Sequence, residues 1–223
     1  MFAVLAAVSA CSLLLTSLIP EGKGHAHDAS SSTLGVVNLM SGGFCLMAVV
    51  LFYVAIGSLW TFLERMGVSL KLTSAFVGSA LSLGNILSLL STLIAVGFAS
   101  RIGVNRALFL SLAVLATALA IMGSVMTVPT YLGGTALFFL SWNLIDIFQA
   151  TVISSFDRAG RFTALIPAAQ SLGNTLGPAL AGLALGSGRS YAHVLLGTSI
   201  FVVAAIGAHL GAQKVSARFR GVN

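Results

Sequence analysis

The sequence predicts an all-α integral membrane protein with seven transmembrane helices. Of its 223 residues, 57% are hydrophobic and only 7% are charged, and the mean hydropathy is +1.04. Soluble globular proteins carry roughly 25% charged residues, so this chain has too few charges to cover a surface that faces water. A spanning helix needs about 20 mostly apolar residues. Seven stretches meet that requirement: 2–19, 38–64, 74–98, 105–127, 129–153, 163–186 and 190–211.

The first apolar stretch is interpreted as a helix and not as a cleaved secretory signal. No basic residues precede it, and Pro20-Glu21 is not a small-residue cleavage site. Residues 21–34 then form a polar linker. His25 and His27 lie in it, but two histidines without a third ligand do not make a metal site, so no metal or other cofactor is expected.

The distribution of Lys and Arg predicts the orientation. The net charge is +6, but the basic residues form no patch with interleaved aromatics, which argues against nucleic acid as a partner. They lie in the gaps between apolar stretches, and an N-terminus outside the cell places eight of them on the cytoplasmic side, as the positive-inside rule requires. The eight are Lys23, Arg101, Arg106, Arg158, Arg161, Lys214, Arg218 and Arg220, against Arg65, Lys71 and Arg189 outside. The chain is therefore expected in the cell membrane, inner or plasma, with a basic cytoplasmic tail at 213–223.

The apolar stretches differ in polarity. Tyr53, Gly57, Trp60 and Glu64 form one stripe along the second stretch, and the third carries Ser79, Ser82, Asn85 and Ser88. Trp142, Asp146 and Gln149 form a stripe on the fifth, with Asn143 at its edge. Stretches with polar stripes are expected to face one another. Stretches 105–127 and 190–211 are bland and are expected to face lipid, with His193 and His209 reaching the interface.

Stretch 163–186 is rich in small residues and carries Gln170 and Asn174. Gly173 and Gly177 are four residues apart, a spacing that lets a second helix approach closely within lipid. The stretch is therefore expected to be an inner helix of a bundle.

Two short motifs recur in the same order and indicate an internal repeat. Trp60 and Trp142 each precede an acidic residue by four positions, and Ser-Leu-Gly-Asn occurs at both 82–85 and 171–174. The segments 38–127 and 129–211 then look like two copies of a three-helix unit. With three helices each, the copies cross the membrane in opposite directions, as in transporters built from inverted repeats.

At these residues the chain resembles the C-terminal half of a bacterial major facilitator superfamily transporter, from its sixth to its twelfth helix. Asp157-Arg158-Ala159-Gly160-Arg161 matches the centre of that family's cytoplasmic signature, although Ile153 and Phe162 depart from its ends. The loop 100–106 keeps only Arg101 and Gly103 of the equivalent motif. The resemblance implies that 35–212 is a six-helix C-terminal bundle and that 1–20 is a helix left from a missing N-terminal bundle.

The resemblance implies secondary active transport of a small solute by alternating access. Asp146 would line the central cavity and carry a coupling proton or bind a cationic substrate, or it would merely pair with a loop arginine. The candidate cavity or coupling residues are Tyr53, Trp60, Glu64, Asn85, Trp142, Asn143, Asp146, Gln149, Gln170 and Asn174. The candidate cytoplasmic latch, which we define as Arg101, Gly103, Asp157, Arg158, Gly160 and Arg161, would hold one packing of the bundle over another.

Two other functional classes remain open. One is a membrane fragment or interaction partner that does not transport, and the other is a seven-helix receptor. The sequence argues against a retinal pigment, since no lysine lies within an apolar stretch. No catalytic triad, metal cluster or phosphate-binding loop is seen, so no enzyme is predicted. The partners expected are the lipid bilayer, a small solute with a coupling proton, and a missing N-terminal bundle or a second copy of the chain.

Overall fold

A computed structural model describes residues 32–157 and 159–220, and within them it forms six α-helices. These are α1 (Ser32–Ser69), α2 (Ser74–Ile102), α3 (Val104–Ser124), α4 (Val128–Phe156), α5 (Arg161–Gly186) and α6 (Tyr191–Arg220). Five helical segments are long and apolar enough to cross a membrane: Leu39–Ser69, Ser74–Ile102, Val104–Ser124, Val128–Phe156 and Tyr191–Ala217. The chain is therefore an all-α, multi-pass membrane protein.

The prediction of seven spanning helices is corrected by these five. The predicted helix 2–19 and the linker 21–31 lie outside the described residues. The predicted helix 163–186 exists as α5, but α5 is not among the five apolar spans. Its Gln170 and Asn174, together with Pro167 and Pro178 inside the helix, make α5 less apolar than its neighbours.

The turns between helices are short and locally specified. Thr73 caps α2 by accepting a hydrogen bond from the Phe76 amide at 3.3 Å, and Thr127 with Thr130 forms a reciprocal capping box at the start of α4. Gly103 alone separates α2 from α3, with φ of 82°, a left-handed conformation that favours glycine. The helix boundaries are thus set by the local sequence.

The core lies where α1, α3 and α4 present large apolar side chains. Along α1, residues 52–59 are all buried, so this part of the helix is covered on every side by its neighbours. The largest buried side chains of the core include Phe52, Ile56, Leu59, Leu63, Leu108, Leu112, Leu115, Phe138 and Phe148. Helix α3 packs on α4 and α6, and α2 packs mainly on α4.

Helix α2 packs mainly on the polar α4, as expected, but most of its remaining surface is exposed. The bland α3, which was expected to face lipid, packs on α4 and α6. Only 17% of the most apolar stretch of α2 is buried inside the protein, whereas 44% of the corresponding stretch of α3 is buried. In α2, Ser79 and Asn85 satisfy their own polar groups by donating to the carbonyl oxygens of Ala75 and Leu81 in the same helix. A helix that satisfies its polar groups internally need not pack inward. An apolar side chain is equally stable against lipid and against protein. The apolarity of α3 therefore does not decide which of the two it faces.

The close approach predicted at Gly173 and Gly177 is confirmed. A Cβ atom at Gly173 would lie 2.6 Å from the carbonyl oxygen of Val50, and one at Gly177 would collide with that of Val54. Ser58 in α1 donates a hydrogen bond to the Gly177 carbonyl oxygen at 2.9 Å. The small residues thus seat α5 directly against the backbone of α1.

Candidate functional site

The carboxylate of Asp146 is the meeting point of three helices. The Tyr53 hydroxyl of α1 donates to its Oδ2 atom at 2.5 Å, and the Gln170 amide of α5 donates to its Oδ1 atom at 3.4 Å. Among the side chains that the structure describes, residues 39–157 and 159–217, no Lys, Arg or His pairs with this carboxylate. The alternative in which Asp146 pairs with a loop arginine therefore finds no support in the described residues.

The position of this centre follows from the packing of α1 against α5. A Cβ at Gly173 would lie 2.5 Å from Cβ of Tyr53, so only glycine allows α5 to lie this close. Gln170 precedes Gly173 by one helical turn and is thereby brought to Asp146. Tyr53 itself is only 5% exposed, so its hydroxyl needs the partner that Asp146 supplies. We call Asp146, Tyr53 and Gln170 the carboxylate centre.

An aromatic cluster adjoins the carboxylate centre. It consists of Trp60 from α1 and Phe138, Phe139 and Trp142 from α4. The ring centroids of Trp60 lie 5.5 Å from Phe139 and 5.9 Å from Trp142. Trp142 precedes Asp146 by one turn, so the two side chains share one face of α4. Trp60 is 42% exposed, which leaves one side of the cluster open.

Asn143 joins α4 to α2 and is not part of the carboxylate centre. Its amide nitrogen lies 2.8 Å from the carbonyl oxygen of Ser88, 2.9 Å from Oγ of Ser91 and 3.0 Å from Oγ1 of Thr92. These contacts satisfy the amide donors and indicate a role in holding two helices together.

Gln149 pairs with His209 between α4 and α6. Their Nε2 atoms lie 3.1 Å apart, and each residue is only 2% exposed. The expectation that His209 reaches the interface is therefore wrong, because the buried amide of Gln149 gives the ring a partner inside the bundle. The Oε1 atom of Gln149 has no hydrogen-bond partner among the described residues.

Three other predicted cavity residues lie apart from the carboxylate centre. Glu64 is exposed and lines a surface cavity of about 460 Å³ with Arg65, Ser69 and Tyr191. Asn85 and Asn174 are both exposed. The backbone of Asn174 lies against Gly57 of α1: a Cβ atom added to Gly57 would be 3.2 Å from the Cα atom of Asn174.

The turn between α4 and α5 carries most of the candidate cytoplasmic latch. The Asp157 carboxylate accepts hydrogen bonds from the amides of Arg161 at 3.1 Å and Thr163 at 2.7 Å, and so caps α5. Although its slight burial favours the neutral form, these bonds hold the pKa of Asp157 below its ordinary value. Gly160 supplies a left-handed φ of 70°, whereas Arg158 lies outside the described residues.

The other part of the candidate cytoplasmic latch lies between α2 and α3. Arg101 lies exposed in the last turn of α2, and Gly103 follows it as the connector to α3. Neither residue is bonded to Asp157 or Arg161 in the described part of the chain.

Two features of the site were missed by sequence reasoning. The hydrogen bond between Tyr53 and Asp146 joins residues 93 positions apart, and no local spacing predicts it. The burial of His209 was missed because a histidine near the end of an apolar segment usually reaches water. The polar stripe that contains Gln149 was the available signal, since a buried glutamine needs a partner.

The Asp146 carboxylate can carry a negative charge or a proton, and apolar and aromatic side chains surround it. Carboxylates within membrane-spanning segments mark ion and substrate pathways. The chain matches no known protein-family model and no curated protein.

Proposed function

We propose that this chain is the C-terminal portion of a secondary active transporter of the major facilitator type, which moves a small solute by alternating access. In this account α1–α3 and α4–α6 are two inverted three-helix units. The observation that carries the proposal is the carboxylate centre, which joins Tyr53 of the first unit to Asp146 and Gln170 of the second.

The helix boundaries support two equivalent units. Helices α2 and α5 begin at Ser74 and Arg161, 87 residues apart, and α3 and α6 begin at Val104 and Tyr191, again 87 apart. Helices α1 and α4 end at Ser69 and Phe156, with the same separation. A duplicated unit produces such constant offsets.

The helix contacts support the same pairing. Helix α2 packs on the first helix of the second unit, where Gly84 abuts Phe139, and α5 packs on the first helix of the first unit, where Gly173 abuts Tyr53. Helix α3 packs on α4, and α6 meets α1 through Ser41, whose Oγ lies 3.4 Å from the carbonyl oxygen of Ala212. These paired contacts are the kind that a two-fold relation between the units would produce.

In this mechanism the carboxylate of Asp146 takes up the coupling proton or the solute. The candidate cytoplasmic latch stabilises one of two packings of the bundle. Exposed amides on membrane helices, those of Asn85 and Asn174, fit a wall that a second bundle covers, supplied by another chain or by a second copy. The topology we propose has the N-terminus outside and the C-terminus in the cytoplasm.

The proposal is tested by solute uptake in cells that naturally carry the chain. Deleting its gene should abolish gradient-driven uptake of at least one small solute, and the wild-type gene should restore it. Asp146→Asn should restore protein abundance in the membrane but not uptake, because the titratable carboxylate is lost. Thr117→Ala, which alters an exposed side chain bonded only within α3, is the matched control and should restore both. Full uptake with Asp146→Asn would remove Asp146 from the mechanism, and unchanged uptake after deletion of the gene would overturn the transporter proposal.

A further inference from the structure

The carboxylate centre and the aromatic cluster form one composite surface. Tyr53 and Trp60 of α1 are two turns apart, and Trp142 and Asp146 of α4 are one turn apart. The bond from Tyr53 to Asp146 and the ring contact of Trp60 with Trp142 bring both pairs together. Trp142 also lies 5.7 Å from the ring of Phe138. The accessible part of this surface therefore combines one acidic group with the rings of Trp60 and Trp142, whereas Phe138 and Phe139 are fully buried.

This surface lacks a cation of its own. No described basic side chain pairs with Asp146. The nearest described cation–aromatic contact lies on another face, where the Arg65 guanidinium is 5.7 Å from the centroid of Phe62. An ionised carboxylate in an apolar setting requires a counter-charge, and aromatic faces attract cations most strongly when water is excluded. Both requirements are met by the same ligand.

We propose that the composite surface binds an organic cation, an amine or quaternary ammonium that carries apolar substituents. The charged nitrogen lies against the Asp146 carboxylate and the face of Trp142, and the substituents contact the exposed ring of Trp60. This inference rests on the proposed function and deepens it, because it names the class of solute that the transporter would move.

The hydrogen bonds at Asp146 leave room for such a ligand. Tyr53 donates to one carboxylate oxygen and Gln170 to the other, at 2.5 and 3.4 Å. A carboxylate offers about four lone-pair positions, so each oxygen can accept a further bond from the N–H of a protonated amine. A quaternary ammonium has no N–H and is attracted by charge alone. The two protein donors fix the orientation of the carboxylate before the ligand arrives.

Other ligand classes fit the surface less well. An anion would be repelled by Asp146 and would find no described cation there. A metal ion prefers several oxygen or nitrogen ligands, and the described residues contain no group of three His, Cys, Asp or Glu. A sugar requires many hydrogen-bonding groups around it, whereas most of this surface is aromatic.

The two tryptophans make the test direct, because they are the only two in the chain and both belong to the surface. The complete chain is placed in lipid nanodiscs and titrated with benzyltrimethylammonium while tryptophan emission is followed. Benzyl alcohol and benzenesulfonate serve as the neutral and anionic probes. The expected result is a saturable change in emission with the cation and none with the other two probes.

Variants decide whether the carboxylate is responsible. Asp146→Asn should weaken cation binding at least tenfold. Thr117→Ala, which changes an exposed side chain bonded only within α3, should leave binding unchanged. Tyr53→Phe keeps the carboxylate but removes a donor, and should weaken binding by a smaller factor. It therefore keeps the test decisive if Asp146→Asn fails to fold, which circular dichroism would show.

Three results would overturn the inference: no saturable response to the cation, an equal response to benzyl alcohol, or unchanged affinity in both Asp146→Asn and Tyr53→Phe. The binding experiment requires no transport. Cation-selective binding without solute uptake in cells would refute the transporter proposal alone. Uptake that depends on Asp146 but involves only neutral solutes would refute this inference alone.

Discussion

At the scale of single residues, the molecule concentrates its polar chemistry in a few buried bonds between helices. Tyr53 and Tyr131 are both buried and both donate their hydroxyl to another helix. Tyr53 donates to the Asp146 carboxylate, and Tyr131 donates to the carbonyl oxygen of Leu63 at 3.1 Å. The two bonds are alike as structural ties, and only the first belongs to the carboxylate centre.

Comparing Phe substitutions at the two tyrosines separates structural from functional roles. Tyr53→Phe and Tyr131→Phe should each destabilise the bundle by about 1 kcal/mol, since hydrogen bonds between membrane helices are worth roughly 0.6–1.7 kcal/mol. Reversible unfolding in mixed detergent, followed by circular dichroism, measures this loss. Only Tyr53→Phe should also alter solute binding. Equal binding defects in the two variants would show that the effect at Tyr53 is structural.

The sequence predicted residue types better than residue partners. Asp146 was singled out because a carboxylate within an apolar segment is costly, and the structure gives it two donors from other helices. Asn85 was grouped with it, yet the amide of Asn85 bonds to Leu81 in its own helix. A periodic stripe locates a face of a helix, but which neighbour covers that face depends on the packing of the whole bundle.

At the scale of helices, small residues decide how closely elements pack. Gly177 of α5 lies against the backbone of α1, where an added Cβ would meet the carbonyl oxygen of Val54 and lie 2.7 Å from the amide nitrogen of Ser58. Backbone atoms cannot move aside as a flexible side chain can. The spacing of Gly173 and Gly177 predicted this contact because close approach requires small residues on one face.

Gly177→Ala should therefore destabilise the protein by about 1–3 kcal/mol, the usual cost of adding a methyl group to a well-packed contact. Gly182→Ala is the matched control in the same helix, since nothing lies within 4 Å of its Cβ position. The melting temperatures of the two variants in the same detergent give the comparison. An equal or smaller loss in Gly177→Ala would contradict the close packing of α5 on α1.

Helix existence was predictable from apolar length, whereas helix environment was not. Each predicted stretch from 38–64 onward corresponds to one helix, with boundaries that shift by up to nine residues at the ends. The bland α3 proved to be well packed and the polar α2 exposed. In a membrane, apolarity does not distinguish a side chain that faces lipid from one that faces protein.

At the scale of the whole molecule, the two motifs that suggested a repeat do not share one register. Trp60 and Trp142 are 82 residues apart, and the glycines Gly84 and Gly173 are 89 apart, whereas the helix starts recur at 87. The helix boundaries pair Asn85 with Leu172 and not with Asn174. Two short matches in a composition rich in Leu, Ser and Gly thus indicated a repeat without defining its alignment.

The orientation is tested with single cysteines in a background from which Cys11 and Cys45 have been removed. Ser190→Cys, in the turn before α6, should react with an impermeant thiol reagent in intact cells. Ala217→Cys, near the end of α6, should react only after the membrane is permeabilised. Both positions are exposed on the protein surface, so burial does not protect either one. The reverse pattern of labelling would invert the topology that the Lys and Arg distribution predicts.

The most direct test of the account is whether the purified chain, by itself, moves solute. Alternating access of the proposed kind rocks one bundle against another around a site between them, and the described residues supply one such bundle. Liposomes that contain only this chain, with a proton gradient imposed, should therefore bind benzyltrimethylammonium and show no saturable uptake. Crosslinking establishes whether the reconstituted chain is monomeric. Saturable, gradient-driven uptake by the monomer would contradict the account.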